Sequence, residues 1–358
     1  MNDECLKLTT YFGERRRADG GFLADALMDV YARHELQTSL VMRGIEGFGI
    51  KHHLRTDRQL SLSEDLPLVS VAVDTRARIE ATLPDIERLR FQGLLTLERA
   101  RMLTGPLEGA GLSDRLREAV KLTVYVGRHE RIDSTPAYEA VVALLHRHGL
   151  AGATVLLGVD GTSHGERRRA RFFARNAAVP LMVIAVGDGA RIEALLPELA
   201  ATLARPLITL ERVRVCKRDG ERLAEPGELP ETDPCGLQVW QKLIVYAGEQ
   251  SAHDAQPLHH ALIRRLRHAG AAGATTLRGV WGYHGDHEPH GDSFWQLRRR
   301  VPVLTVIIDT PQRTREWFAI VDELTDETGL VTSELVPALR ATGPDLQHGG
   351  TRLSQPIA

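Results

Sequence analysis

The sequence predicts an α+β protein built from three tandem copies of one domain of roughly 100 residues. Each copy opens with a short segment in which a lysine is followed by β-branched or aromatic residues, and a glycine lies 37 residues after that lysine. These lysine and glycine pairs are Lys7 and Gly44, Lys121 and Gly158, and Lys242 and Gly279. Order and spacing that persist over a domain-sized period indicate a tandem array rather than a solenoid.

The repeat also sets the domain boundaries. We assign copy 1 to 1–103, a linker to 104–118, copy 2 to 119–216, a second linker to 217–238, copy 3 to 239–340 and a tail to 341–358. The linkers are rich in Gly and Pro, and the second also in Asp and Glu, which predicts exposed connectors. The tail is polar and is predicted to be flexible.

The first half of each copy predicts a strand, a helix and a second strand. In copy 1 the apolar residues Leu23, Ala26, Leu27 and Val30 recur at helical spacing. The second strand then runs into a Gly-x-x-Gly segment, as 153–157 does in copy 2.

The second half predicts a third strand, a second helix and a last strand. The segments 68–73, 181–186 and 303–308 are apolar on both faces, which is typical of a strand covered on both sides. In copy 3, Thr310 followed by Pro311 marks the start of the second helix. The resulting order, β-α-β-β-α-β, is the ferredoxin-like arrangement.

That arrangement places both helices on one face of the sheet, so the other face needs cover of its own. Identical domains commonly provide such cover by cyclic association. We therefore expect the three copies to pack as an intrachain pseudo-trimer, with the chain itself monomeric. The alternative is three independent domains on linkers.

The bulk composition excludes several classes of protein. The net charge is −2, so no global attraction to nucleic acid or anionic lipid is expected. The three cysteines, an odd and sparse set, argue against a disulfide framework and fit a reducing compartment. Without a signal pattern or an apolar run of membrane-spanning length, we expect a cytoplasmic protein.

Copy 1 resembles a known family. It carries KLT at 7–9, YFGER at 11–15, GIEGFG at 44–49 and LSEDLP at 62–67. On these motifs the chain is similar to the PII-like family called domain of unknown function 190, of the UPF0166 type. The resemblance covers nearly all of each copy, but it is poor in the loops of copies 2 and 3.

The resemblance implies a trimeric ferredoxin-like assembly. PII relatives bind nucleotides in clefts between subunits, and a flexible loop, the T-loop, engages partner proteins. Gly47-Phe48-Gly49 resembles the base of that loop. Members are often encoded beside small fluoride exporters, which implies a membrane transporter or channel as the partner.

The residues themselves offer candidate anion sites where the second strands end. Glycines expose backbone N–H groups that can cradle phosphate oxygens, and adjacent arginines can add charge-assisted hydrogen bonds. Arg43 and Arg278 precede the glycines of copies 1 and 3, and Glu14 and Glu249 follow the first strands of those copies. Copy 2 has Leu157 at the arginine position and Arg128 at the glutamate position. The same glycines could instead merely permit a bend. The candidate ligand-binding residues are Glu14, Arg43, Gly44, Gly47, Phe48, Gly49, Gly158, Gly161, Arg278, Gly279 and Gly282.

One loop of copy 3 is rich in histidine and acidic residues. His284, His287 and His290 lie there among carboxylates, and this set suits a divalent metal such as Zn, Ni or Cu. The spacing lacks a strict metal signature, so a solvated polar loop remains the alternative.

We expect no catalytic activity, because no acid–base pair, nucleophile or cofactor motif repeats across the copies. Gly161 to Gly165 match the G-x-S-x-G nucleophile elbow, but they align with the loop start at Gly47 in a different fold. Arginines beside aromatic residues in copies 2 and 3 could bind single-stranded nucleic acid. The net charge of the chain does not support this, so no nucleic-acid partner is expected.

The sequence therefore favours a non-enzymatic signalling protein. A small effector, an adenine nucleotide or another anion, would bind in clefts between copies, and the loops would contact a partner protein. The alternatives are a ligand-free interaction scaffold and a metal-handling protein that uses the histidine-rich loop.

Overall fold

The computed structural model describes residues 4–18, 20–49, 52–57, 65–105, 119–163, 166–169, 179–284, 289–291, 301–343 and 347–356. Copy 1 contains β1 Glu4–Gly13, β2 Arg17–Ala18, β3 Gly21–Phe22, α1 Leu23–Arg33, β4 Thr38–Phe48, β5 Arg55–Thr56, β6 Pro67–Thr75, α2 Arg76–Arg88 and β7 Gly93–Thr104. Copy 2 and its extension contain β8 Val120–Gly127, β9 Arg131–Ile132, β10 Thr135–Pro136, α3 Ala137–Arg147, β11 Gly152–Leu157, β12 Asp160–Ser163, β13 Glu166–Arg169, β14 Pro180–Gly187, α4 Gly189–Thr202, β15 Leu207–Arg212, β16 Arg214–Arg218 and β17 Glu221–Arg222. Copy 3 and its extension contain β18 Trp240–Gly248, β19 Ala252–His253, β20 Gln256–Pro257, α5 Leu258–Ala269, β21 Ala274–Arg278, β22 Trp281–His284, β23 His290–Gly291, β24 Pro302–Asp309, α6 Pro311–Leu324, β25 Leu330–Val336, β26 Ala338–Thr342 and β27 Gln347–Gly349.

The main strands pair antiparallel in the same order in every copy. Copy 1 has the order β7-β1-β6-β4, copy 2 has β15-β8-β14-β11, and copy 3 has β25-β18-β24-β21. The third strands β14 and β24 are buried along their whole length, as their apolar sequences predict. The mixed α+β class predicted from the sequence is confirmed.

Helix starts follow local sequence signals. The Thr310 side chain accepts a hydrogen bond from the backbone N–H of Arg313, and Pro311 occupies the first turn of α6, as predicted. Asp188 caps α4 in the same way by accepting from Ala190 and Arg191. No helix of the described residues is long and apolar enough to cross a membrane.

In each copy the second strand, together with the segment that follows it, pairs with both other copies. The start of β4 pairs with β12 of copy 2, and the end of β4 pairs with β21 of copy 3. The remaining junction is made by β11 of copy 2 and β22 of copy 3. Each copy thus offers the start of its second strand to one neighbour and the following segment to the other, so the three pairings close a ring.

The last strands close a second ring. The end of β7 pairs with β15, β16 pairs with β25, and β26 pairs with the start of β7. Each copy therefore extends its last strand onto the next copy, and copy 3 extends onto copy 1.

The described residues form four hydrophobic cores. Three of them each lie chiefly between the helices and the sheet of one copy. The fourth joins the helix-free faces of all three sheets, with Val71 from copy 1, Ile184 from copy 2 and Val306 from copy 3 among its members. The otherwise uncovered sheet faces are thus buried against one another.

The described parts of the second linker and the tail make more contacts with the rest of the chain than their polar composition predicts. Lys217 and Asp233 are buried in the linker. In the tail, β27 pairs with β26, and Ser354 is fully buried where its backbone N–H bonds to the carbonyl of Pro337. Polar composition did not reveal these contacts, because several join residues far apart in sequence, such as Lys217 with Asp322 and Asp233 with Gln355.

Candidate functional site

The glycines at the ends of the second strands lie where one copy meets another. A Cβ at Gly44 would lie 2.9 Å from the carbonyl oxygen of Thr276, and one at Gly47 would lie 2.7 Å from that of Ala274. Gly161 and Gly282 are equally crowded, by the carbonyl oxygens of the neighbouring copies' Ser39 and Ala153. Close approach between copies therefore accounts for these glycines without a ligand.

The other predicted glycines have different surroundings. Gly158 and Gly279 lie against their own third strands, where a Cβ would meet the carbonyl oxygens of Pro180 and Pro302. The space around Gly49 is open. Phe48 is buried in the helix–sheet core of copy 3, so its ring contacts that neighbouring copy.

The predicted arginines pair with the predicted glutamates. The Arg43 guanidinium lies 2.9 Å from the Glu14 carboxylate, and both side chains are partly exposed. In copy 3, Arg278 makes the corresponding pair with Glu249, at 2.6 Å. The backbone N–H groups of Glu14, Arg128 and Glu249 all donate to the residue just before the third strand, which places the three positions in register.

The junction between copies 3 and 1 has an additional charge. Asp57 of copy 1 lies 3.5 Å from Arg278, so this guanidinium sits between two carboxylates from different copies. Nearby buried polar atoms have no hydrogen-bond partner among the described residues, namely Arg278 Nε and Glu249 Oε2. The site therefore retains unused hydrogen-bonding capacity at the boundary between copies.

The histidine-rich loop is only partly described. His284 bonds to Asp219 at 2.8 Å, and His290 lies in the short strand β23. His287 lies outside the described residues. In the described part of the chain these histidines do not belong to a group of three metal-ligating side chains.

Sequence reasoning missed a buried ring of charges. Each first strand supplies a lysine, each last strand supplies a glutamate directly opposite it, and all six side chains are buried. The ring consists of Lys7, Lys121, Lys242, Glu98, Glu211 and Glu334. The signal was present, because a charged residue recurs at one register of otherwise apolar strands in every copy.

Every lysine of this Lys–Glu ring contacts two glutamates, one from its own copy and one from a neighbour. Lys121 lies 3.1 Å from Glu211 and 2.5 Å from Glu334. Lys242 lies 2.8 Å from Glu334 and 2.5 Å from Glu98. Lys7 closes the ring by contacting Glu98 at 3.0 Å and also Glu211.

The ring perturbs the ionisation of its members. Burial opposes the charge on Glu98, but Lys242, Lys7 and Lys121 outweigh it and hold the pKa of that carboxyl well below its usual value. The pKa of Glu334 is lowered as well, because the ring lysines outweigh the effect of its burial. Burial likewise opposes the charge on Lys7, yet Glu211 and Glu98 raise its pKa well above the ordinary value.

The three glutamates also have the geometry of a metal site, since one carboxylate oxygen from each lies within 4.8 Å of the others. The three ammonium groups already balance their charge. A bound cation would therefore leave uncompensated positive charge in a buried environment, which is strongly unfavourable. We interpret the ring as a structural connection between the copies.

Comparison with known proteins agrees with this threefold plan. A family model described as DUF190, Uncharacterized ACR, COG1993, matches residues 5–102, 119–215 and 240–338. The chain belongs to the DUF190 family. The resemblance found in the sequence, including the three tandem copies, is thereby confirmed.

The individual relatives add little about function. A protein of Aquifex aeolicus (strain VF5) described as a UPF0166 protein is 28% identical over 103 residues, which are 28% of this chain and 95% of the relative. Among solved structures, an aspartate kinase from Synechocystis matches 96% of this chain and 46% of its own length at 10% identity, with a TM-score of 0.24. So low a score supports no argument about fold or activity.

Proposed function

We propose that this DUF190 chain is a non-enzymatic PII-like regulator, whose copies are ferredoxin-like units packed as an intrachain pseudo-trimer. A small anionic effector, with an adenine nucleotide as the first candidate, binds in a cleft between copies. Loops after the second strands contact a partner protein. The two closed rings of strand pairing and the shared core support the pseudo-trimer.

One observation carries the ligand proposal. Arg278 lies between Glu249 of its own copy and Asp57 of copy 1, with its Nε atom unpartnered among the described residues. A guanidinium held at a boundary between copies can exchange a carboxylate for a phosphate, since both are recognised through the same paired N–H donors. Such an exchange releases Asp57 and the segment that carries it, which couples ligand binding to a loop.

A calorimetric titration of the full chain with ATP, ADP and GTP tests this proposal. We expect saturable binding of at least one nucleotide, and we expect Arg278→Gln to weaken it about tenfold or more because a charge-assisted hydrogen bond is lost. Arg264→Gln is the matched control, since Arg264 is an exposed arginine of α5 that bonds only to Gln256 among the described residues. No binding of any nucleotide at millimolar concentration would overturn the nucleotide version.

A second candidate is a ligand-free interaction scaffold. The crowding of Gly44, Gly47, Gly161 and Gly282 by neighbouring copies favours it, since these glycines then need no ligand. Recovery of one partner protein by the full chain, unchanged by nucleotides and by Arg278→Gln, would support the scaffold over the regulator.

A further inference from the structure

Copies 2 and 3 each continue into a hairpin that lies against the second helix of the next copy. The hairpin β16–β17 contacts α6, and β26–β27 contacts α2. In the first case Lys217 pairs with Asp322 at 2.7 Å, and in the second Arg340 pairs with Glu87 at 2.6 Å. Lys217 and Arg340 also face equivalent residues of the last strands, so the two junctions correspond.

The junction at α6 is filled. The tight turn of its hairpin places Gly220 so close to the carbonyl oxygen of Asp326 that a Cβ would overlap it. The Arg222 guanidinium lies 5.3 Å from the centre of the Phe318 ring and covers the adjoining surface. The hairpin β16–β17 therefore covers the end of α6.

The junction at α2 is open. A cavity of about 320 Å³ lies between this hairpin and the end of α2. That volume lies within the range of small-molecule pockets. Ile86, Phe91 and Leu95 give the cavity an apolar lining, while Arg90, Arg340 and Gln347 bring polar groups to it.

The chemistry of this cavity is particular to copy 1. Aligned through Gly93 and Gly329 at the strand starts, Arg90 and Phe91 correspond to Asp326 and Glu327 of copy 3. Copy 1 therefore has a cation and an aromatic ring where copy 3 has two acids. Because Arg340 is balanced by Glu87, the exposed Arg90 leaves one net positive charge at the cavity.

We propose that this cavity binds a small amphipathic monoanion, which consists of a flat apolar body and a single carboxylate. The Arg90 guanidinium receives the carboxylate through paired N–H donors, and the apolar body lies against the half-buried ring of Phe91. The site is separate from the clefts of the proposed function and does not depend on nucleotide binding.

Benzoate is a suitable probe for the full chain, observed by calorimetry or by ligand NMR. For so small a ligand we expect saturable binding with a Kd of about 1 mM. Arg90→Ala and Phe91→Ala should each weaken it about tenfold or more, whereas inorganic phosphate and benzyl alcohol should bind far more weakly than benzoate. Arg88→Ala is the matched control, because Arg88 ends α2 two positions before Arg90, its side chain is 76% exposed, and it does not line the cavity.

Failure of benzoate to saturate well above that concentration would overturn the proposal, as would unchanged affinity in Arg90→Ala. Phosphate binding as tight as benzoate would overturn the amphipathic class of ligand. If Phe91→Ala lowers the thermal stability of the chain, the exposed Arg90→Ala variant still decides the outcome.

Discussion

The buried Lys–Glu ring and the surface junctions of this protein have diverged to very different extents. All three copies keep a lysine in the first strand and a glutamate opposite it in the last strand. At the ends of their second strands, copies 1 and 3 keep an Arg–Glu pair where copy 2 has Leu157 and Arg128. The hairpin junctions differ as well, since one is filled and the other holds a cavity.

The difference follows from how each group is shared. A ring lysine contacts glutamates of two copies, so its loss in any copy leaves charges uncompensated in a neighbour. The Arg43–Glu14 pair of copy 1 remains partly solvated, and replacing it costs little. The junctions between the copies can therefore differ while the ring stays the same.

Acidification should have the largest effect, because it neutralises both Glu98 and Glu334. The pKa values of Glu98 and Glu334 are lowered in the folded chain from an ordinary 4.5, so these carboxylates stabilise the fold above pH 4.5. We expect the free energy of unfolding to fall as the pH drops below 4.5 and through the lowered pKa values. Denaturant unfolding at a series of pH values measures this free energy. If it depends on pH as steeply in Glu98→Gln as in the wild type, the interpretation is contradicted.

Lys121→Met should be strongly destabilising. It leaves Glu211 and Glu334 with one ammonium contact each in a buried environment, and the expected loss is about 3–5 kcal/mol. Urea unfolding followed by circular dichroism gives this value. A loss below about 1 kcal/mol, as for a surface pair, would remove the distinction between the two regions.

Gly161→Ala should have an intermediate effect by separating copies 1 and 2. Its Cβ would collide with the carbonyl oxygen of Ser39, and overpacking of this kind costs about 1–3 kcal/mol. The matched control is Gly49→Ala, where no atom lies within 4 Å of the new Cβ. Equal melting temperatures for the two variants would show that close approach does not explain Gly161.

Arg43→Gln should have the smallest effect. The Arg43 and Glu14 side chains are 50% and 36% exposed, and pairs of this kind contribute about 0–1 kcal/mol. We expect a melting temperature within a few degrees of the wild type. A loss comparable to that of Lys121→Met would mean that the surface junctions, too, hold the copies together.

The fold could be predicted from the sequence to the extent that local patterns encode it. The lysine-to-glycine spacing revealed the copies, and Thr310 with Pro311 marked a helix start because capping depends on adjacent residues. The Lys–Glu ring could not be placed, since its pairs join residues up to 213 positions apart. The role of Gly161 was hidden for the same reason, because its neighbour Ser39 belongs to another copy.

The central claim is that the Lys–Glu ring joins the three copies, and a double-mutant cycle on Lys7 and Glu211 tests it most directly. The two residues lie in copies 1 and 2 and are in contact. Unfolding free energies of the full chain carrying Lys7→Met, Glu211→Gln and both changes give their coupling energy. We predict a coupling of about 2–3 kcal/mol. A coupling below about 0.5 kcal/mol, no larger than that of the exposed Arg43–Glu14 pair, would contradict the claim.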